Sequence, residues 1–442
     1  MTVWLIEPHE PLIFREGKPF EATPGAHAKS LPFPFPSTTA GALRSQSHLN
    51  ESGVFELPEG KMIDDLKAIG VRGPLLVSLR PDSDVIEQWF VPAPADALLL
   101  NVKENSEQKE DSKAKDEERE KQAIVRQLAP LTIKSNEDYT DFTIERSDEQ
   151  EALQIVGLPL NEAGSDLEKP YKNAPRYWYW ERFEHWLSTP PPSTPQTVAE
   201  LGISGPTYEM RVHVAMDHST RAGKEGKLFD TSGLEFTHIK ASSKKETGSP
   251  LQRAQRLALA LITNDERDID EQNKADRQFV AITNRLGTLG GERRLVSWRE
   301  SNAKLPPCPD ELKKQIIAKK RCRLFLLTPA YFSEGYRPTW LCQQHEQSGV
   351  QLKLKAITIQ RPQVVSGWDM AAKRARPSRR LAPAGTVLFL ELKGEDKAIE
   401  EWIEKTWFSC VSDDTQYRRD GFGLAVLGAW PTEPDSARGG QA

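Results

Sequence analysis

The chain has 442 residues, 38% of them hydrophobic and 28% charged, with a formal net charge of −5. That length supports two or three domains with a sizeable core, and the acidic balance argues against a protein that coats nucleic acid unaided. A local basic groove stays open, because an electrostatic footprint depends on where charge clusters.

The sequence has no apolar run long enough for a transmembrane helix, so no membrane partner is expected. The opening MTVWLIEPHEPLIF has no basic start and carries Glu7 early, unlike a signal peptide. Cys308, Cys322, Cys342 and Cys410 are scattered without a C-x-x-C pair. Zinc is therefore not expected, and the thiols suit a reducing cytoplasm.

TVWLIEP (2–8) is β-rich and stopped by proline, a first strand; REGKPF (15–20) reads as a turn. LPFPFPSTTAGALRSQ (31–46) fixes the chain with alternating prolines and then enters a helix. Ser37 is the expected N-cap, with the helix running from Thr38. The N–H groups from Thr38 to Gly41 are then an anion seat, and Arg44 adds charge. An ordinary capped helix is the plainer alternative. KMIDDLKAI (61–69) predicts a second helix, and VRGPLLVSLR (71–80) and QWFVPAP (88–94) predict strands. Residues 101–122 are mixed charge almost without apolar residues, an insertion or a solvated helix.

RYWYWERFEHWL (176–187) is dense in aromatics, suiting a core or an interface anchor better than base stacking. The Pro/Ser/Thr-rich stretch 188–206 marks an expected domain boundary near 205. YEMRVHVAM (208–216) and LFDTSGLEFTHI (228–239) form a long hairpin, and 238–254 is a candidate mobile segment. His213 shares a face with Arg211. It is a conceivable acid–base group for RNA cleavage, or a plain hydrogen-bonding histidine.

RLALALIT (256–263) predicts a strand. In RLGTLGGERRL (285–295), Gly287, Gly290 and Gly291 permit backbone that bares N–H groups, with Arg293 and Arg294 adjoining. A plain glycine hairpin explains it equally, and neither a P-loop nor a dinucleotide fingerprint is present. Residues 308–328 predict helix then strand, 350–360 and 385–394 strands, and 396–407 a helix. Between them, GWDMAAKRARPSRRLAPAG (367–385) is a Pro-containing loop with the densest basic cluster, Lys373, Arg374, Arg376, Arg379 and Arg380. Tracking a phosphate backbone is its functional reading. RRDGFGLAVLG (418–428) ends the chain's order in a strand, with Gly421 and Gly423 suggesting close backbone approach. Interleaved strands, hairpins and single helices predict an α+β protein.

Six pieces in this order resemble one family: EPLIFREGKPF, LPFPFPSTTAGALRS, MRVHVAMDHSTRAGKEGKLFDTSGLEF, LGGERRL, GWDMAAKRARPSRRLAPAGTV and GFGLAVLGAW. The family is the RAMP superfamily of CRISPR proteins, and within it the third-subunit family of the type III-B (Cmr-module) effector complex. The resemblance implies two ferredoxin-like, RRM-related domains with glycine-rich loops and a β-hairpin thumb at about 217–227. With the boundary read from residues 188–206, they fall at 1–205, with the charged insertion, and 206–432, followed by an expected disordered tail at 433–442. It implies a cytoplasmic, non-catalytic subunit without cofactor or metal, which holds the 5′ handle of crRNA. Its partners would be the large palm-domain subunit and the backbone RAMP subunits, with target RNA met indirectly. Carried over by position, the implied RNA-binding residues are Arg15, Lys18, Ser37, Thr38, Arg44, Gly290, Gly291, Arg293, Arg294, Arg376, Arg379, Arg380, Gly421 and Gly423. Arg211 and His213 are expected near the RNA. An RNA-processing endoribonuclease using His213 and a purely structural adaptor with an aromatic surface are the alternatives.

Overall fold

A computed structural model describes residues 1–15, 27–28, 30–50, 52–56, 61–102, 122–131, 153–158, 169–189, 194–239, 254–263, 281–282, 285–341, 349–369 and 373–431. Lys18, the body of the charged insertion, most of 238–254, Cys342 and the C-terminal tail lie outside the described residues.

Two large sheets organise the chain. The first has nine strands, in spatial order Gly202–Ile203, Tyr177–Tyr179, Ile86–Pro92, Arg72–Leu79, Ala254–Thr263, Thr2–Pro8, Arg294–Ser301 and Leu286–Leu289, with Thr237–Ile239 also paired to Ala254–Thr263. The second has five, in order Gln351–Thr358, Val387–Lys393, Arg321–Leu326, Leu424–Ala429 and Ser409–Cys410. Pairing within both is antiparallel. This is a mixed α/β protein built mostly on antiparallel sheets, as the interleaved pattern predicts.

The central strands are those with near-continuous apolar runs. Leu257 to Ile262 are at most 1% exposed, because the strand is covered on both faces. One face meets a core that also takes Leu324, Leu326, Val387 and Phe389 from the second sheet. The other carries a separate core around Trp4, Ile6, Leu43 and Trp298. The first sheet takes strands from both sides of residue 205, so it does not divide there. The chain passes to the second sheet only after Ser301.

Among the described residues the α-helices longer than one turn are α1 (Pro36–Gln46), α2 (Lys61–Ala68), α3 (Trp180–Ser188), α4 (Asp310–Lys319), α5 (Asp396–Thr406) and α6 (Thr415–Arg419). In α5 the spacing of Ile399, Trp402 and Ile403 turns one stripe inward. The aromatic run around α3 is core: Trp178, Trp180, Phe183 and Trp186 are all at most 7% exposed. Among the described residues no helix is long and apolar enough to cross a membrane.

Several smaller sheets stand apart from these, and two of them are ribbons that concern the site. The long hairpin pairs Thr207–Met216 with Gly223–Glu235, and His27–Ala28 adds a short parallel strand. The basic stretch expected as a loop is also a hairpin, Gln363–Asp369 against Arg374–Leu381. Its sequence hides this, because every residue from Arg374 to Arg380 is exposed and no apolar alternation marks the strand.

Candidate nucleic-acid interface

Three segments far apart in sequence converge on one cleft of about 380 Å³. The start of α1 contributes Ser37, Thr38 and Gly41, the basic ribbon contributes Arg376, and the C-terminal segment contributes Tyr417.

The entry of α1 is built differently from the expectation. The N-cap is Phe35 in extended conformation without a side-chain cap, and Pro36 takes the first helical position. Ser37 is therefore inside the helix, not its cap. Pro36 has no N–H, and Thr38 N donates to Phe35 O at 3.0 Å, so little of an anion seat remains. At Gly41 a Cβ would meet nothing within 4 Å, so the surface over it is open.

Arg44 does not serve as a phosphate clamp. Its side chain is 10% exposed and pairs with Asp420 at 2.6 Å. Nη2 also donates to Ile69 O at 2.7 Å and Arg419 O at 3.0 Å. A guanidinium so enclosed fastens α1 to the C-terminal segment.

The ribbon carries the available charge. Arg374, Arg376 and Arg380 are exposed and make no ion pair among the described residues. Arg379 lies over the Tyr331 ring at 5.1 Å. Beneath the ribbon, Val365 and Leu381 pack with Phe422, Phe35, Tyr331 and Tyr417. Tyr331 and Tyr417 stack at 4.9 Å. Burial raises the Tyr417 phenol above its ordinary range, while the fields of Arg379 and Arg376 oppose this. The sequence reading missed this aromatic seat, although Tyr417 adjoins the arginine–glycine segment it did single out.

Gly421 and Gly423 do require positive φ, at +96° and +79°, but they approach the protein itself. A Cβ on Gly421 would lie 2.5 Å from Gly73 O, and one on Gly423 would lie 2.9 Å from Ser412 N. Their expected approach to RNA is corrected to chain packing.

The glycine loop lies elsewhere, with the first loop and the long hairpin, and most of the charges there are matched. Arg294 pairs with Glu10 at 2.6 Å and Glu292 at 2.7 Å, Arg15 with Glu292 at 3.3 Å, and Arg211 with Glu209 at 2.7 Å. Gly291 N donates to Ile13 O at 2.7 Å, and a Cβ on Gly290 would lie 2.5 Å from that same oxygen. The loop is thus a packed turn and not an open anion nest. Arg293 is exposed and has no ion pair among the described residues. Leu295 N and Arg294 both donate to Glu10 and hold its carboxyl below the usual range.

On the long hairpin, His213 shares a hydrogen bond with Thr231 Oγ1 at 2.8 Å and stacks on Phe229 at 5.4 Å. The opposite face is apolar and open: Met210, Val212, Val214, Met216 and Leu228 are 45–71% exposed. Among the described residues no group of three His, Cys, Asp or Glu side chains is placed to hold a metal.

Comparison with known proteins gives a family. The model of "CRISPR-associated protein (Cas_Cmr3)" matches residues 4–430. No curated protein matches the chain. Among solved structures, a type III-B Cmr-beta complex bound to cognate target RNA and AMPPnP contains a chain with 15% identity and a TM-score of 0.40, covering 88% of this chain and 86% of that one. A Csm3–Csm4 subcomplex of a type III-A CRISPR–Cas interference complex contains one with 9% identity and a TM-score of 0.29, covering 89% and 94%. The family match spans nearly the whole sequence, and the chain belongs to the Cmr3 family of CRISPR-associated proteins, the family of a type III-B Cmr-complex subunit.

Proposed function

We propose that the protein is the subunit that holds the 5′ handle of crRNA in a type III-B effector complex, without catalysing a reaction itself. In this reading it docks on the large palm-domain subunit and the backbone RAMP subunits, and the long hairpin is a thumb beside the RNA. The two sheets correspond to two ferredoxin-like units. One observation carries the reading: in a net-acidic chain, exposed and unpaired arginines stand on a ribbon beside an open helix start and a tyrosine seat. Charge so concentrated repels itself unless a polyanion answers it. Single-stranded RNA also supplies bases for the aromatic surroundings.

Replacing Arg376, Arg379 and Arg380 with alanine tests it. The slope of log affinity against log salt for single-stranded RNA should flatten by about 2 units, since each phosphate contact contributes about 0.7. An unchanged slope rejects the ribbon as the phosphate contact. The nuclease alternative relies on His213, whose ring is held between Thr231 and Phe229. The adaptor alternative relies on an aromatic surface, whereas that run is buried.

A further inference from the structure

Two sets of exposed arginines are treated oppositely. Those of the ribbon make no ion pair among the described residues, whereas Arg15 and Arg211, near the glycine loop, are each covered by a carboxylate. Glu292 reaches Arg15 at 3.3 Å and Arg294 at 2.7 Å, and Glu209 reaches Arg211 at 2.7 Å. The hydrogen bond to Glu209 raises the Arg211 guanidinium above its ordinary range, and the fields of Glu10 and Glu292 add to this. The first loop, the glycine loop and the long hairpin therefore share one electrostatic neighbourhood.

Three features separate these pairs from a structural brace. They are open: the side chains of Arg15, Arg211, Glu209 and Glu292 are 39–46% exposed. Exposed ion pairs add little stability and give way readily to another anion. Arg294 differs, being 14% exposed and fastened to Glu10 at 2.6 Å. Secondly, Glu209 and Arg211 lie two residues apart on one strand, so their pair joins no two segments. Thirdly, Glu292 stands at φ +60° and Arg293 at +52°, in the left-handed region. Glycine takes that conformation without penalty, and Gly290 and Gly291 are next door, yet a carboxylate is held there. The side chain is what the position gains for the strain.

A carboxylate set between guanidinium groups takes the place of a phosphate. We infer that Glu209 and Glu292 are guards: they occupy Arg211 and Arg15 in the free protein and yield them to the phosphates of a strand that the ribbon has already anchored. A passing polyanion without that anchor meets the carboxylates instead. The guards thus set specificity by an interaction that must first be lost. The inference rests on the RNA reading of the ribbon, which supplies the anchor.

The test uses the full chain and a labelled single-stranded RNA decamer of arbitrary sequence, titrated by fluorescence anisotropy across a salt series. Glu209→Gln/Glu292→Gln removes both guard charges at constant size and leaves the Glu10–Arg294 pair in place. It should bind about five- to tenfold more tightly than the parent, with a salt slope steeper by about 1.4 units, two phosphate contacts at about 0.7 each. Glu311→Gln/Glu400→Gln makes the same change of net charge at exposed carboxylates of α4 and α5. Screening should keep that control within about twofold of the parent. Adding Arg15→Ala/Arg211→Ala to the guard variant should abolish its gain.

If the guard variant matches the parent while the Arg376/Arg379/Arg380 alanine variant loses affinity, the guard proposal fails and the ribbon reading stands. If neither alters binding, both fail. A gain in the guard variant with no loss in the ribbon variant rejects the ribbon as anchor, and with it the proposal. A gain that the control reproduces, or that survives loss of Arg15 and Arg211, comes from net charge alone and overturns the proposal.

Discussion

Arg44 stands at the cleft with its charge turned into the protein. It lines the cleft, yet its guanidinium faces inward to Asp420 and to the carbonyls of Ile69 and Arg419. Nothing local in the sequence announces this, because Asp420 lies 376 residues away. Arg44→Met should therefore act on stability. It leaves the Asp420 carboxylate buried with only Gln416 Nε2 at 2.9 Å, and breaking a buried pair from one side costs about 3–5 kcal/mol. Urea denaturation should show that loss, and Arg44→Met/Asp420→Leu should recover most of it. The salt slope of RNA binding should match the parent's, in contrast to the ribbon variants. A flattened slope with unchanged stability would return Arg44 to the phosphate contacts.

At the scale of elements, what the sequence reveals follows period and punctuation. The buried strands, the long hairpin and helices α2, α4 and α5 repeat their apolar residues at the spacing of their structures, and so were legible. The basic ribbon was not, because its order comes from a few anchors, Val365 and Leu381 on Phe422, and not from alternation along its own strand. The glycine loop was legible as a turn, but its charge was not. The neutralising Glu10 reaches Arg294 across 284 residues. That brace has a pH dependence of definite sign. Hydrogen bonds from Leu295 N and Arg294 depress the Glu10 carboxyl, so they favour the folded loop at pH above the ordinary carboxylate range. The contribution disappears as pH falls through the depressed folded value. Protection of the Leu295 amide in hydrogen exchange should be firm near neutrality and fall under acid. Glu10→Gln should lower protection at neutral pH and remove the acid dependence; a Gln variant with the parent profile would show that the loop is held by other contacts.

At the scale of the molecule, the cleft has a defined shape only if the two sheets keep their spacing, because α1 and the basic ribbon both wall it. A buried polar knot ties the second sheet to α3 and to the segment that follows Ile86–Pro92. Arg323, on the second sheet and 2% exposed, donates to Asp96 at 2.7 Å, to Ala429 O at 2.6 Å and to Trp186 O at 2.8 Å. Trp186 Nε1 completes the knot by donating to Asp96 at 3.0 Å. Burial disfavours both charges, raising the Asp96 carboxyl and lowering the Arg323 guanidinium, while the ion pair and its hydrogen bonds oppose this. Such a pair fixes position more than it adds stability, because well-packed apolar residues often replace it without loss. Asp96→Ala should consequently cost about 3–5 kcal/mol, since Arg323 stays buried without its carboxylate. Asp96→Leu/Arg323→Met should regain most of that stability but not the alignment of the sheets. The double variant should then unfold near the parent midpoint while its affinity for single-stranded RNA falls. If that affinity persists in full, the cleft does not depend on the knot, and the packing of α3 between the sheets is enough to hold its walls.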